Sequence, residues 1–450
     1  MNVRTFSFLI ASLLLLLCAC EKSVNESNLN LAVGERLYSV KDGDIMSYLY
    51  TCKGIGPDTR SIDDIEVEPI LQDGDTVMYI VNYNDGWEVL SADKRAPVVL
   101  MTCDSGHLEE QELYQNEYQA EYVNMMKTAI SDLGKSNDAY PISEDDSWND
   151  IALLAGTDDT WTDWYLTGST TLLDTLGYQD HLLTTHWGQS GKWNKKAPFT
   201  SSSKTNHCYT GCVMVAGSQV LYYLHYKLGS PLSTYTSSSC TAYIPDNVDY
   251  VRLNDNNITF SSIASSHWDL MPLSQSENVP QVRFDYVSTL MSRLGYLVSA
   301  TYRIGGTSAT TSDLISAFEE DFSIDATSNS QPDFSIVRNQ IIQYKLPCIF
   351  ALGNSSTGGG HSVVADGYKD IGIFTRLFYE KHNNQGQILK KEERILNERH
   401  QFIAINWGWD GTGDYDQTTH ATIWYNIQTI NWRGYDTFRY MLYDFKAINN

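Results

Sequence analysis

The strongest constraint in this sequence is a helical stripe that begins at residue 213. Val213, Ala216, Gly217, Val220, Leu221 and Leu224 recur at i, i+3, i+4, i+7, i+8 and i+11, which is one face of an α-helix. All six are small or apolar, so that face must pack closely against other elements. Thr210-Gly211-Cys212 stand directly before it, which sets Cys212 at the helix N-terminus. Strand-like runs follow: Leu346–Leu352 (LPCIFAL), Ser362–Ala365 and Phe402–Trp407 (FIAINW). Gly358-Gly359-Gly360 forms a tight loop before His361, Asp366-Gly367 reads as a turn, and a Gly-rich loop follows at 408–413. Upstream, Val77–Tyr83 (VMYIVNY) and Trp87–Ala92 (WEVLSA) flank the turn signal Asn84-Asp85-Gly86 and read as a β-hairpin. Val98–Met101 is a further apolar stretch, and Glu109–Leu133 has helical spacing that Gly134 ends. The pattern predicts two units: a small α+β unit with no evident chemistry, then a larger α+β unit that begins near Leu182. The polar, acidic, Trp-containing residues 135–165 are the natural linker.

The N-terminus predicts export. Arg4 is followed by an almost unbroken apolar run from Phe6 to Leu17. Twelve residues are too few to span a bilayer but suit the core of a signal peptide. The run ends in Leu17-Cys18-Ala19-Cys20, which resembles a bacterial lipobox, with Cys20 as the lipidated first residue of the mature chain. Residues 21–34 then read as a polar tether, and the only membrane contact expected is through that lipid. Six cysteines remain after Cys20, too few for a disulfide scaffold in a chain of 450 residues. The formal net charge is −24. Such a chain is a poor partner for a phosphate backbone, so no nucleic-acid role is expected.

The chemistry concentrates on four positions. Unpaired N–H groups and the helix dipole stabilise an anion at a helix N-terminus, so a thiol at Cys212 has a reason to be reactive. A paired imidazolium lowers a thiol pKa further, and His361, between a glycine run and a strand, is the natural partner. Asn406, at a strand end beside Trp407, can hold an imidazole tautomer while the indole shields that bond. Gln189, in His186-Trp187-Gly188-Gln189, can donate an N–H to a developing oxyanion. Each has a plainer reading: a buried small hydrophobe, a structural histidine, a turn asparagine, a loop glutamine. The chain order Gln, Cys, His, Asn is that of papain-like peptidases and favours the chemical reading.

Four blocks carry a resemblance to one family. They are Leu182–Gln189 (LLTTHWGQ), Thr210–Val213 (TGCV), Gly360–Tyr368 (GHSVVADGY) and Ile405–Trp409 (INWGW). Together they resemble the streptopain family of secreted bacterial cysteine peptidases. The resemblance implies a papain-like two-lobed domain, with a helical lobe and an antiparallel sheet or barrel lobe, behind a small α+β inhibitory prosegment. Val77–Leu100, with Ser91-Ala92-Asp93-Lys94-Arg95-Ala96-Pro97, is similar to that prosegment. The resemblance also implies roles: Cys212 as nucleophile, His361 as general base, Gln189 in the oxyanion hole, and Asn406 and Trp407 orienting and screening the histidine. Three departures stand out. Val213-Met214-Val215-Ala216 is bulkier than the small residues usual after the nucleophile, with the adjoining pocket open to reshaping. Residues 371–399 are a long, partly charged addition, read as a hairpin or a lid beside the cleft. Asp410 stands where a smaller residue is usual.

The domains expected are a signal peptide at 1–19, a tether at 20–34, a prosegment at 35–150, a linker and processing region at 151–180, and the peptidase at 181–450. The expected activity is thiol-dependent hydrolysis of protein or peptide substrates by an exported, lipid-anchored zymogen whose prosegment is its own inhibitor. A catalytically inactive surface-binding or inhibitor-like protein, and an acyltransferase or amidase using the same triad, are the alternatives. No cofactor is expected. His207, Cys208 and Cys212 lack a fourth partner for structural zinc, and the glycines before His361 lack the Lys-Ser/Thr of a phosphate loop.

Overall fold

The computed structural model describes residues 39–53, 65–135, 148 and 164–448, apart from short gaps at 229–231, 233, 238–239, 257, 264, 332, 354–359, 384 and 428–437. The expected signal peptide, the lipobox with Cys20 and the tether lie outside the described residues.

The region expected to be the prosegment opens with helix α1 (Asp42–Cys52) and a meander of strands β1 (Glu66–Gln72), β2 (Asp75–Tyr83), β3 (Gly86–Ser91) and β4 (Val99–Cys103). The predicted hairpin is β2–β3, with Met78 opposite Ser91 and Tyr83 opposite Gly86. Gly86 is required: its φ is +126°, and a Cβ there would stand 2.4 Å from the Cys103 carbonyl oxygen. Helix α2 (Glu117–Lys135) is shorter at its start than the spacing predicted. Asn116 interrupts the pattern and caps the helix, its side chain accepting the Gln119 N–H at 3.2 Å. The turn before it, Glu110–Tyr114, is a separate 3₁₀ segment.

Strand β5 (Trp164–Gln179) comes next, where a linker was expected. Its run of Thr, Leu and Tyr is strand-forming, and it pairs along β12 from Trp164 opposite Lys381 to Gln179 opposite Tyr368. Helix α3 (Cys212–Lys227) begins at Cys212 as the stripe predicts. Two small sheets follow, β6 (Thr234–Ser237) with β7 (Phe260–Ile263), and, beyond α4 (Gln281–Leu297), β8 (Thr301–Arg303) with β9 (Gly306–Ser308). Helix α5 (Asp313–Phe322) leads into β10 (Ile324–Asn329), β11 (Cys348–Gly353), β12 (Gly360–His382), β13 (Ile388–Asn406), β14 (Ile423–Asn426) and β15 (Phe438–Ala447).

One antiparallel sheet joins both units in the order β1-β2-β3-β4-β14-β13-β12-β11-β15-β10, with β5 also on β12. The seam is β4–β14, where Met101, Thr102 and Cys103 face Tyr425, Trp424 and Ile423. The sheet separates two cores. On one side Val364, Ile349 and Leu442 pack with α3, α4 and α5. On the other Val363, Ala365, Phe350, Ile405 and Trp407 pack with Tyr122, Val123, Met126 and Ile130 of α2. A third core places α1 and Trp148 against Phe402, Ala404 and Trp424. The α+β class, with its helical and sheet parts, is therefore as the resemblance implies.

Residues 371–399 form the outer parts of β12 and β13, a hairpin whose third strand is β5. At the rise of a strand, Ile371 lies roughly 30 Å along β12 from His361, so the arm extends away from the histidine and is not a lid beside it. Asp366-Gly367 is not a turn. It is a bulge inside β12, where the register with β13 shifts, and Asp366 is fully buried. Val213, Met214 and Val215 point into the helical core. Their bulk is accommodated there by Gly211 (φ +95°), where a Cβ would meet the Met214 side chain at 2.4 Å.

Candidate active site

Cys212 is the first residue of α3 and is 9% exposed. Its thiol lies beside Ser362 of β12, whose backbone N–H and hydroxyl donate toward the sulfur, as do the N–H groups of the helix start. Burial nevertheless raises the thiol above its ordinary pKa. The expected depression is not present here, because desolvation outweighs the donors and no imidazolium adjoins the sulfur.

His361 explains that. Along β12, side chains alternate between the two cores: Val364 joins the α3 side, Val363 and Ala365 the α2 side. His361 shares the α2 side. Its Nε2 lies 3.0 Å from the Trp407 carbonyl oxygen, its ring is parallel to the Trp407 indole with centroids 6.5 Å apart, and it lines a pocket with Glu121, Tyr122 and Met125 of α2. Ser362, one residue on, faces Cys212 and also bonds Thr311 through its hydroxyl at 2.6 Å. The structure thus places Cys212 and His361 on opposite faces of the sheet. Burial drives the imidazole down to about 3, against the Trp407 carbonyl that raises it, so it is neutral here.

Asn406 lies opposite Val364, on the α3 face. Its carboxamide bonds the Thr185 carbonyl at 3.0 Å and receives Gln219 Nε2 at 2.8 Å and the Gly408 N–H at 3.1 Å. It does not bond His361. It ties α3 to the 185–189 segment, since Gln219 also accepts the Trp187 N–H at 3.2 Å. Gln189 is buried, and its carbonyl accepts the Thr210 N–H at 2.9 Å, fixing this loop two residues ahead of Cys212. The fold therefore sets Gln189 beside the start of α3 and Asn406 against the middle of the same helix, and leaves His361 with Trp407 on the other side.

Sequence reasoning missed the groups that support this loop. The Trp407 N–H donates to Asp414 at 2.8 Å, and the Trp407 indole N–H to Tyr425 at 3.0 Å. Tyr425 in turn receives Gln119 of α2 at 3.0 Å, so the prosegment helix grips the Trp407 loop directly. Asp414 is fully buried, and desolvation lifts its carboxyl to about 7. His181 bonds Asp366 at 2.7 Å. Burial opposes its charge, but that carboxylate prevails and raises it to about 9. The available signal was Asp366 itself, a carboxylate inside an otherwise apolar strand. Gln219, seven residues after Cys212 on the same helix, was legible as a polar side chain on the packed side of α3. Among the described residues, no group of three or more His, Cys, Asp or Glu is placed to hold a metal. The six cysteines there are all free and buried.

Known proteins resemble this chain in sequence and fold. The sequence profile of the Peptidase C10 family matches residues 187–415, just over half of the chain and the span from Trp187 past Asn406. Streptopain of Streptococcus pyogenes serotype M28 (strain MGAS6180) is 23% identical over 410 residues, covering 86% of this chain and 84% of the relative. Streptopain of serotype M1 is 23% identical with the same coverage. A solved structure of a prointerpain A fragment from Prevotella intermedia superposes with a TM-score of 0.51 at 19% identity, over 84% of this chain and 98% of the fragment. The fold is therefore the papain-like α+β fold preceded by a prodomain, and the chain is a cysteine peptidase that belongs to the Peptidase C10 family.

Proposed function

We propose that this chain is an exported zymogen of a cysteine endopeptidase, anchored through lipid on Cys20, in which the prosegment holds the general base away from the nucleophile. The observation that carries the reading is the placement of His361 on the α2 side of the sheet while Ser362 adjoins Cys212. A strand alternates faces at every residue, so a local twist at 360–362 exchanges the two side chains. Removal of α2 takes away the Tyr122 and Met125 side of the histidine pocket and the Gln119–Tyr425 bond to the Trp407 loop. His361 then reaches the α3 side and pairs with Cys212.

In that state the thiolate of Cys212 attacks the peptide carbonyl, forming a C–S bond as the carbonyl π pair moves to oxygen. Gln189 and the Cys212 N–H stabilise that oxyanion. His361 protonates the leaving amine as the C–N bond breaks, then takes a proton from water, which attacks the thioester and frees Cys212. Asn406 and Trp407 complete the site by orienting and screening the imidazole. Gln189→Ala is expected to lower kcat by about 10²–10³-fold with little change in KM. Steady-state rates on one peptide check this, and an unchanged kcat removes Gln189 from the oxyanion hole.

A thiol-directed epoxide tests the latency. Cys212 of the processed enzyme is expected to be labelled rapidly, and Cys212 of the full-length chain slowly. Equal rates would overturn the zymogen reading. The pH dependence follows from His361. The covered form keeps its imidazole neutral down to about 3, whereas a solvated imidazole titrates near 6.5. The covered form is thus fully favoured above pH 6.5 and loses stability as pH falls from there toward 3. Between pH 7 and pH 5 uncovering is favoured by up to about 25-fold. Protease sensitivity of α2 in the Cys212→Ala chain, compared with the same chain lacking His361, reads this contribution. Asp414, raised to about 7, acts in the opposite sense, since the folded state takes up its proton as pH falls. His361→Gln in the same background isolates the histidine: the acid-favoured part of the sensitivity is expected to disappear, leaving the opposite slope of Asp414.

A further inference from the structure

The loop between Asn406 and Asp414 carries a carboxylate that neither catalysis nor latency uses. Gly408 (φ +69°) lets the loop approach Val215 of α3, and Gly411 (φ +82°) lets it approach the His186 ring. Between them Asp410 adopts φ +57°, a left-handed conformation that costs a non-glycine residue energy and recurs at functional sites. Its side chain is fixed. Oδ1 accepts the Trp193 indole N–H at 2.6 Å, while Oδ2 lies 2.6 Å from where a Cβ on Gly188 would stand. Only a glycine at 188 leaves room for it, and residue 189 is the glutamine beside the nucleophile loop. Asp410 is exposed, and among the described residues no lysine, arginine or histidine pairs with it. Trp409, the residue before it, packs against Tyr209 of the segment leading to Cys212, with ring centroids 6.1 Å apart.

We infer that Asp410 is a specificity-determining residue: fixed by Trp193 over Gly188, its carboxylate receives a lysine or arginine side chain of the substrate beside the scissile bond. The inference rests on the reading of Cys212 and Gln189 as the reacting centre and names the substrate class that centre takes. A carboxylate held by one neutral donor keeps its second oxygen for a charge-assisted bond. Desolvation of the carboxyl group by the packed atoms around it, without a counter-charge, raises the Asp410 pKa, as expected of a group whose partner arrives with the ligand. The net charge of −24 acts in the same direction at long range.

The test uses the full-length chain after self-processing in reductant, with peptides that differ by Lys, Gln or Glu at one of the two positions on either side of the cleaved bond. At one of these positions kcat/KM is expected to favour Lys over Gln by about fivefold, the scale of a partly exposed ion pair, with the preference residing in KM. Salt at 0.5 M compresses it. Asp410→Asn, which keeps an acceptor for Trp193, brings the ratio close to one, Asp410→Glu retains it, and Asp410→Lys turns it toward Glu. A native enzyme with no charge preference at any of these positions overturns the inference, as does a preference that persists in Asp410→Asn. A chain that cleaves none of the peptides overturns the peptidase site itself, and this inference with it.

Discussion

Cys212→Ala is expected to lose peptide hydrolysis by at least about 10⁴-fold while its melting temperature stays within a few degrees of the native chain. The first half follows from chemistry: without the thiolate no acyl-enzyme forms, and the remaining members of a catalytic set supply little when the nucleophile is absent. The second half follows from position. Cys212 is a helix's first residue, and its main structural duties, the N–H groups and the backbone turn, survive in alanine. The measurement is steady-state cleavage of one peptide together with a thermal scan. Residual activity within tenfold of native would remove Cys212 from the mechanism, and a collapse in melting temperature would assign it to the core instead.

The second large effect is expected at Asp93. Its carboxylate receives the Arg95 guanidinium through Nε at 2.8 Å and Nη2 at 2.7 Å, and the Arg95 N–H at 3.0 Å. Both side chains are almost fully buried, at 3% and 2% exposed. Arg95 also bonds the Leu133 carbonyl in the last turn of α2, so this pair fastens the β3–β4 connection to the helix that confronts His361. Asp93→Ala removes the carboxylate that receives the Arg95 guanidinium through two buried bonds, and breaking a buried pair costs about 3–5 kcal/mol. Denaturant unfolding of the Cys212→Ala chain, where no self-cleavage intervenes, is expected to show a prosegment transition at lower denaturant. In the chain that keeps Cys212, Asp93→Ala is expected to convert sooner. An unchanged midpoint would mean that α2 is held mainly by its apolar face.

In the zymogen reading proposed above, the placement of Cys212 and His361 across the sheet would give latency a simple physical basis. Neither residue is altered or blocked. A strand presents successive side chains to opposite faces, and the prosegment helix supplies a second core on the face away from Cys212. His361 and Trp407 are held there by α2 on one side and the Asp414 loop on the other. Since burial of a neutral imidazole is stable only while it stays unprotonated, acid acts through His361 against the covered form. The same sheet runs from prosegment to peptidase through β4 and β14. Release of the prosegment therefore breaks a strand pairing as well as a helix contact.

Much of this was legible from residues alone, because it depends on neighbours in the chain. The stripe from Val213 fixed α3 and put Cys212 at its head, since helical period is a local property. The β2–β3 hairpin followed from Asn84-Asp85-Gly86, and the buried strands at 348–353 and 402–406 from their unbroken apolar runs. Tertiary structure decided what period cannot express. Which face His361 takes depends on the register of β12 against β11 and β13, and on the bulge at Asp366. Asn406 meets Gln219 and not the histidine because Val364 is its partner across the ladder. Trp164–Gln179 became a strand, though its sequence sits in a region that reads as a linker, because β12 and β13 extend far enough to give it a partner. Local sequence determines which elements form and which atoms they carry, whereas contacts between residues hundreds of positions apart decide which of those atoms meet.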